Sequence, residues 1–504
     1  MARTKARPEI FPVHAPYSTI IADGAVMRPD PQTPLFDALF DIMSARGHHM
    51  NDRQDIRTIK KGERTMRKIM ALTAAALATA VVQAADIFVS LDTGKNKNAG
   101  TKEAPLKNLW KALEKAETGD VIHVAGAKEA YPGKATLKGT FRMEKPVSII
   151  GGYSPDFATR DPLKFRTLFQ AKNENYVRGN CLGVLHLEFD KTMNAPKGFK
   201  MKLDGLIFDE GQANSYHAVK GKPEGFDTGM WLEGPAKNIA DKQVSPNRYM
   251  IYSATASRGE GDIEIENCVF VNCGNWAVNL NWYKGKVEIE NCVFVNNRMI
   301  GASVACSCAQ PSVKWEFKKN TVLYTWSRLN DLADMGFGIR VNEKVEADIE
   351  DNIIGLNVLT GFDNTKGSGK TKKIKLDGNV FFLNRESDVQ MTASPSVVKV
   401  KVDEFEDLEG TDGIESIEDN VDLKDPSVFK GRLNAQFLNA FLSMKYSETT
   451  KLDEGKCNGL RSMLGLPLQG TITTKCDMFC NRYPLEDALK LFGAMDGKGA
   501  QAIR

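Results

Sequence analysis

The sequence is short of the residues that carry most metal and acid–base chemistry. Of its six histidines, only His123, His186 and His217 lie beyond residue 65, and none stands at metal-ligand spacing from another ligand. Cys306-Ser307-Cys308, and Cys476 with Cys480, also miss the zinc spacings, so no transition-metal centre is expected. Long apolar runs are missing too. The run Ile69 to Val82 is shorter than the about 20 residues a spanning helix needs, so the mature chain should not cross a membrane as a helix. There is no charge surplus to speak of. The formal net charge of +3 comes from residues before Ile69, beyond which acidic and basic residues balance, and this argues against a nucleic-acid partner. The nine cysteines are an odd number, which leaves at least one thiol unpaired even if export permits disulfides.

What the chain does have is a repeat. Ile263-Glu264-Ile265-Glu266-Asn267-Cys268-Val269-Phe270-Val271-Asn272 returns 24 residues later as Val287-Glu288-Ile289-Glu290-Asn291-Cys292-Val293-Phe294-Val295-Asn296. Fixed periods of roughly 20–50 residues signal solenoids. Apolar and acidic residues alternate within each copy, which is the period of a strand. Three short strands and three turns fill about two dozen residues, so one repeat is one coil. Fainter copies centre on Leu203, Phe317, Ile349 and Leu376. Three residues after the anchors Ile265, Ile289, Phe317, Ile349 and Leu376 stand Cys268, Cys292, Asn320, Asn352 and Asn379. Stacked Asn amides would form an internal hydrogen-bonded ladder. Asn267 and Asn291 fit the same ladder with a slip of one residue, and both registers stack the coils. Cys268 and Cys292 on adjacent coils would lie about 4.8 Å apart at Cβ, too far for a bridge, so they are expected as buried thiols. Cys457, Cys476 and Cys480 are better disulfide candidates.

The flanks divide the chain further. Arg67-Lys68, the apolar run and Val82-Gln83-Ala84 have the form of a secretory signal over residues 66–84, with a mature start near Ala85. A signal belongs at a terminus, so residues 1–65 read as a misassigned start upstream of Met66. The mature chain is then expected outside the cytoplasm of a bacterium. Leu106 to Ala116 is an amphipathic helix suited to plug the open end of a solenoid, whose core and edge strand need covering. The coils should run over residues 85–400, interrupted by an insertion at 209–260. Residues 401–504 follow as an acidic linker and a small mixed C-terminal cap, with helices over Leu433–Met444 and Leu485–Phe492.

Gly100-Thr101-Lys102-Glu103-Ala104-Pro105, Gly119-Asp120-Val121-Ile122-His123-Val124 and Tyr131-Pro132-Gly133 resemble the opening of secreted bacterial right-handed parallel β-helix proteins, the pectin-lyase-like superfamily. Ile150-Gly151-Gly152-Tyr153-Ser154-Pro155-Asp156-Phe157 with Arg160-Asp161-Pro162 is similar to a branch without an assigned activity. The resemblance spans about Asp86 to Val400 and implies an all-β solenoid. It implies little chemistry, because the mature chain lacks the paired Asp, Gly-His and Arg-x-Lys set of polygalacturonase-type members. The pectate lyases of the superfamily carry Arg-x-Pro-x-x-Arg. Arg160-Asp161-Pro162-Leu163-Lys164-Phe165-Arg166 is one residue too long for that motif and is read as structural, since a misplaced base is disabled. His123 lies in an apolar strand and is read as a core residue.

Two surfaces remain as candidate sites. Glu264, Glu288, Glu316 and Asp348 form one column, where neighbouring charges about 4.8 Å apart would repel by roughly 3.5 kcal/mol at an effective dielectric of 20. Bound Ca²⁺ on Glu264, Glu288 and Glu316 would relieve this. Lys286, Lys314 and Lys373 in an adjacent column would do so as well, and on that reading no cofactor is required. The second surface is the insertion. Trp231, Tyr249, Tyr252 and Arg248 are candidates for glycan contact, and Lys220, Lys222, Arg248 and Tyr252 for proton abstraction. Two functions follow. One is a noncatalytic exported protein that engages a glycan, and the other a polysaccharide lyase that cleaves a uronate-containing polymer by β-elimination. The oligomeric state is not legible.

Overall fold

The structure is a computed structural model. It describes residues 84–503 apart from 138, 171–182, 191, 193–195, 211–248, 254–258, 309–311, 327–334, 367–372, 394–395, 412, 443–453 and 467–481. The expected signal segment up to Gln83, Cys181, His217, Cys476, Cys480, and the candidates Lys220, Lys222, Trp231 and Arg248 therefore lie outside the described residues. No helix among those described is long and apolar enough to cross a membrane.

Among the described residues the chain winds through three sheets of ten, eight and nine strands. The first sheet contains Lys197–Asp204, Glu260–Glu266, Gly285–Glu290, Val313–Lys318 and Val345–Glu350; the second contains Leu206–Asp209, Val269–Val271, Val293–Val295 and Thr321–Leu323. The third contains Gly183–Leu187, Tyr249–Ser253, Val278–Trp282, Ile300–Cys306 and Phe337–Asn342. Each strand pairs in parallel with its counterpart one coil away, as Ile263 with Val287 and Val269 with Val293. This is the expected parallel β-helix, and the handedness of parallel crossovers makes it right-handed.

Alternation explains the interior. Ile263, Ile265, Val287 and Ile289 point inward from the first sheet and are fully buried, whereas the glutamates between them face out. From the second sheet Phe208, Phe270 and Phe294 stack along the axis, with ring centroids 5.3 and 4.7 Å apart. The turn between these sheets resolves the ambiguity of the Asn column, because both registers are used. Asn267 and Asn291 take left-handed backbone, with φ of 53° and 54°, and Asn291 Nδ2 donates to Asn267 Oδ1 at 2.7 Å. One residue later runs the buried ladder. Asn320 donates to Asn352 at 3.2 Å, Asn352 to Asn379 at 2.9 Å, and Asn379 to Asn420 at 3.0 Å. Cys268 and Cys292 continue this column as fully buried residues, with the Cys268 amide donating to Cys292 Sγ at 3.4 Å.

Several boundaries differ from the sequence reading. The N-terminal helix spans Leu109–Lys115, because Leu106 is committed to a bridge with Val89. Its fully buried Leu109 and Ala112 join the core at the N-terminal end. The interruption at 209–260 is narrower than expected, since Tyr249–Ser253 is a regular strand of the third sheet and Glu260–Glu266 one of the first. The acidic linker holds a last coil, in which Ile414 pairs with Ile374 and Val421 with Val380.

The far end is closed by Ser396–Val400, which turns back antiparallel on Ser387–Ala393, and by Phe405 and Leu408, buried in the core behind it. The rest of the tail lies along the outer face of the second sheet. Val269, Val271, Val293 and Val295 pack there with Phe437, Leu438 and Phe441 of the helix Ala435–Leu442, and with Tyr483, Leu491 and Phe492. The last helix ends at Leu489, and the chain beyond it stays on the coils, with Ala500 N donating to Thr321 Oγ1 at 3.0 Å.

Candidate functional site

The outer face of the third sheet carries a continuous polar column. Leu185, Leu187, Ile251, Val278, Leu280, Ile339, Val341 and Phe362 all turn into the core, which sends the residues between them outward. In register these are Arg142, His186, Tyr252, Asn279, Ser303, Arg340, Asp363 and Gln390. Its two halves differ. Downstream, Arg340 and the fully buried Asp363 form an ion pair, Gln390 Nε2 donates to Asp363 Oδ1 at 2.7 Å, and the Arg340 guanidinium lies 4.4 Å from the Phe337 ring centroid. Such a closed network holds structure and leaves little for a ligand.

Upstream the column is aromatic and partly open. The Tyr249 and Tyr252 rings lie parallel within 12° and 4.8 Å apart, and the Trp276 ring stands edge-on to Tyr249 at 6.0 Å. His186, only 5% exposed, sits 5.1 Å from Tyr252 on the coil before. Arg142 follows, exposed and paired with Glu188 at 2.9 Å. Burial pushes the Tyr252 phenol above its ordinary value, and the Glu188 charge adds to this. At neutral pH Tyr252 is therefore protonated, a hydrogen-bond donor on an apolar ring. To abstract a proton it would first have to be ionised.

Of the residues expected here, the structure brings together Tyr249 and Tyr252; residues 211–248 join Asp209 to Tyr249 but are not described. Trp276, His186 and Arg142 were missed. Gly183-Val184-Leu185-His186-Leu187 shows the alternation that would have turned His186 outward between two core leucines.

The acidic column is real in register: Glu264, Glu288, Glu316 and Asp348 are successive partners on the first sheet. Lysines interleave with it. Lys286 meets Glu288 at 2.5 Å and Glu316 at 3.7 Å, and Lys314 meets Glu316 at 3.0 Å and Asp348 at 2.8 Å. Lys202 reaches Glu264 at 3.8 Å and Glu266 at 2.6 Å. Burial raises the Glu316 carboxyl, but Lys314, Lys286 and Lys318 outweigh it and hold the group below the ordinary range. Among the described residues no group of three or more His, Cys, Asp or Glu is placed to hold a metal.

Two other sequence readings meet the structure here. Arg160 has a structural role, donating to Gly151 O at 2.9 Å and pairing with Asp204, while Arg166 pairs with Glu486 of the tail. His123 is not a core residue. It faces out between Ile122 and Val124, with Nε2 2.7 Å from Asp86 Oδ1 and Nδ1 3.0 Å from the Tyr153 hydroxyl.

No protein-family model matches the chain, and no curated protein matches it in sequence. Among solved structures the similarities found are distant. Pectate lyase Pel9A is 12% identical at a TM-score of 0.34, covering 63% of this chain and 78% of its own. A rhamnogalacturonan lyase is 11% identical at 0.32, over 62% and 79%. A GH136 lacto-N-biosidase from Eubacterium ramulus is 12% identical at 0.22, over 69% and 70%.

Proposed function

We propose that this chain is an exported β-helix that binds an acidic glycan on the outer face of its third sheet. The reading rests on one observation: the parallel Tyr249 and Tyr252 rings, flanked by Trp276, form an aromatic shelf on an otherwise polar face. Aromatic faces accept the C–H side of a sugar ring, and the Tyr hydroxyls supply the polar end. Arg142 and His186 lie next along the column, where Arg142 can hold a carboxylate or sulfate by charge-assisted bonds.

Noncatalytic binding is the reading adopted. A lyase needs a base beside a uronate carboxylate, and Tyr252 would have to lose its proton before it could serve as one. Incubation with a panel of uronate polysaccharides separates the two readings. Retention on one polymer without a rise in unsaturated-product absorbance supports binding; a steady rise with time identifies a lyase and overturns the noncatalytic reading.

A further inference from the structure

The residue just before the first strand is tied down at both of its backbone groups. Ala85 N donates to Asp120 Oδ1 at 2.8 Å, and Ala85 O accepts from Val121 N at 2.9 Å. The second oxygen of the same carboxylate accepts the Glu117 amide at 2.8 Å. Asp120 is only 5% exposed. Among the described residues, no Lys, Arg or His pairs with it. Its neighbours are already matched: Glu117 pairs with Lys145 at 2.8 Å, and Asp86 with His123 at 2.7 Å. Asp120 is thus a nearly buried carboxylate facing two neutral amides, and buried carboxylates are rare without a counter-charge.

The sequence offers that charge at the same atom. Val82-Gln83-Ala84 places small residues where a signal-removing endopeptidase cuts, directly before Ala85. We propose that Asp120 is the receptor for the α-ammonium group created by cleavage between Ala84 and Ala85. Hydrolysis adds the oxygen of water to the Ala84 carbonyl carbon and a proton to the Ala85 nitrogen. At neutral pH this amine takes a second proton. The nitrogen that donates one neutral N–H to Asp120 then brings a full positive charge, and charge-assisted bonds are roughly twice as strong as neutral ones. Processing and folding are thereby coupled at the first coil, since a chain that keeps residue 84 leaves Asp120 without a cation.

The inference is independent of glycan binding and is tested without it. The chain is expressed from Met66 with its leader in an exporting bacterium, and the N-terminus of the exported product is sequenced. The expected first residue is Ala85. Reductive methylation with ¹³C-formaldehyde leaves one N–H on the amine and allows its titration by NMR. An unfolded α-amine titrates near pH 7.7–8.0, and the folded value is expected about one unit or more higher. The shift should vanish in urea and in Asp120→Asn, and persist in Glu117→Gln, which tests the nearest other carboxylate. If Asp120→Asn fails to fold, the folded-against-urea comparison of the parent decides alone. A different first residue, or an amine that titrates at the same pH folded and unfolded, overturns the inference.

Discussion

Asn352 donates from Nδ2 to Asn379 Oδ1 at 2.9 Å, one coil further on, and both side chains are completely buried. The same Nδ2 reaches Phe317 O at 2.8 Å, while Asn352 Oδ1 accepts the Asn320 amide at 2.8 Å. Asn352 thereby binds three coils together inside the turn. Replacing it by Ala leaves at least one buried donor and one buried acceptor without partners, each costing about 1–3 kcal/mol. Asn352→Ala is expected to lower unfolding free energy by about 3 kcal/mol in chemical denaturation. A loss below about 0.5 kcal/mol would show that the ladder is not a stabilising element.

The charged face of the first sheet should respond to pH in a defined direction. Burial lifts the Glu316 carboxyl and the lysines around it more than reverse this, so its folded value lies below its unfolded one. Its contribution is present above the ordinary Glu pKa, about 4.3, and disappears as pH falls through the lower folded value. Lys314 titrates in the opposite sense. Hydrogen bonds to Asp348 and Glu316 raise it, so its contribution is present below the ordinary Lys value and is lost as pH rises through the raised one. The Lys314 end of both pairs is solvent-exposed and screened, so each is worth about 1 kcal/mol. Lys314→Met should flatten the acid limb of the stability profile between about pH 5 and 3, and 1 M salt should mimic it in the parent. An unchanged limb in both experiments would contradict the pairing.

With lysines interleaved in this column, no need for Ca²⁺ is expected. A chelator is expected to leave the melting temperature within experimental scatter. A drop that Glu288→Gln abolishes would place a cation on the column, since a ligand at a hundredfold excess over Kd stabilises by about 2.7 kcal/mol.

The tail is expected to be indispensable to solubility. Tyr483 N donates to Asn272 Oδ1 at 2.7 Å, and its buried ring lies 4.9 Å from Phe437 over the second sheet. Removing the residues after Asn434, which takes away both the helix Ala435–Leu442 and the final segment, would expose Val269, Val271, Val293 and Val295, an apolar strip of the kind that drives association. The truncated chain should bind a hydrophobic dye and elute as aggregates. Monomeric elution without dye binding would mean that the strip is covered some other way.

The first two sheets were legible because Ile263–Asn272 returns almost unchanged as Val287–Asn296 and weaker copies follow around Phe317, Ile349 and Leu376, so residue identity marks the register. The third was not. Its strands share no recurring motif that would mark the partners; Tyr252 and Asn279 are coil neighbours, as are Ser303 and Arg340. The tail's position had left a signal that went unread. In Val269-Phe270-Val271 the Phe faces in, so both valines must face out, and two outward valines on each coil require a cover. His123 was misplaced for the opposite reason. Its apolar neighbours suggested burial, whereas alternation alone sets it on the outer face beside Asp86.

The aromatic shelf is the point on which the functional account stands. Tyr252→Ala removes one of two stacked rings on the outer face and leaves the inward Ile251 untouched. Titration calorimetry of the purified protein against a panel of uronate and sulfated polysaccharides tests it directly. The account predicts binding to at least one acidic polymer by the parent and a loss of tenfold or more in Tyr252→Ala, about 1.4 kcal/mol, with the circular dichroism unchanged. Equal affinity in parent and variant, or no binding by the parent across the panel, would contradict it.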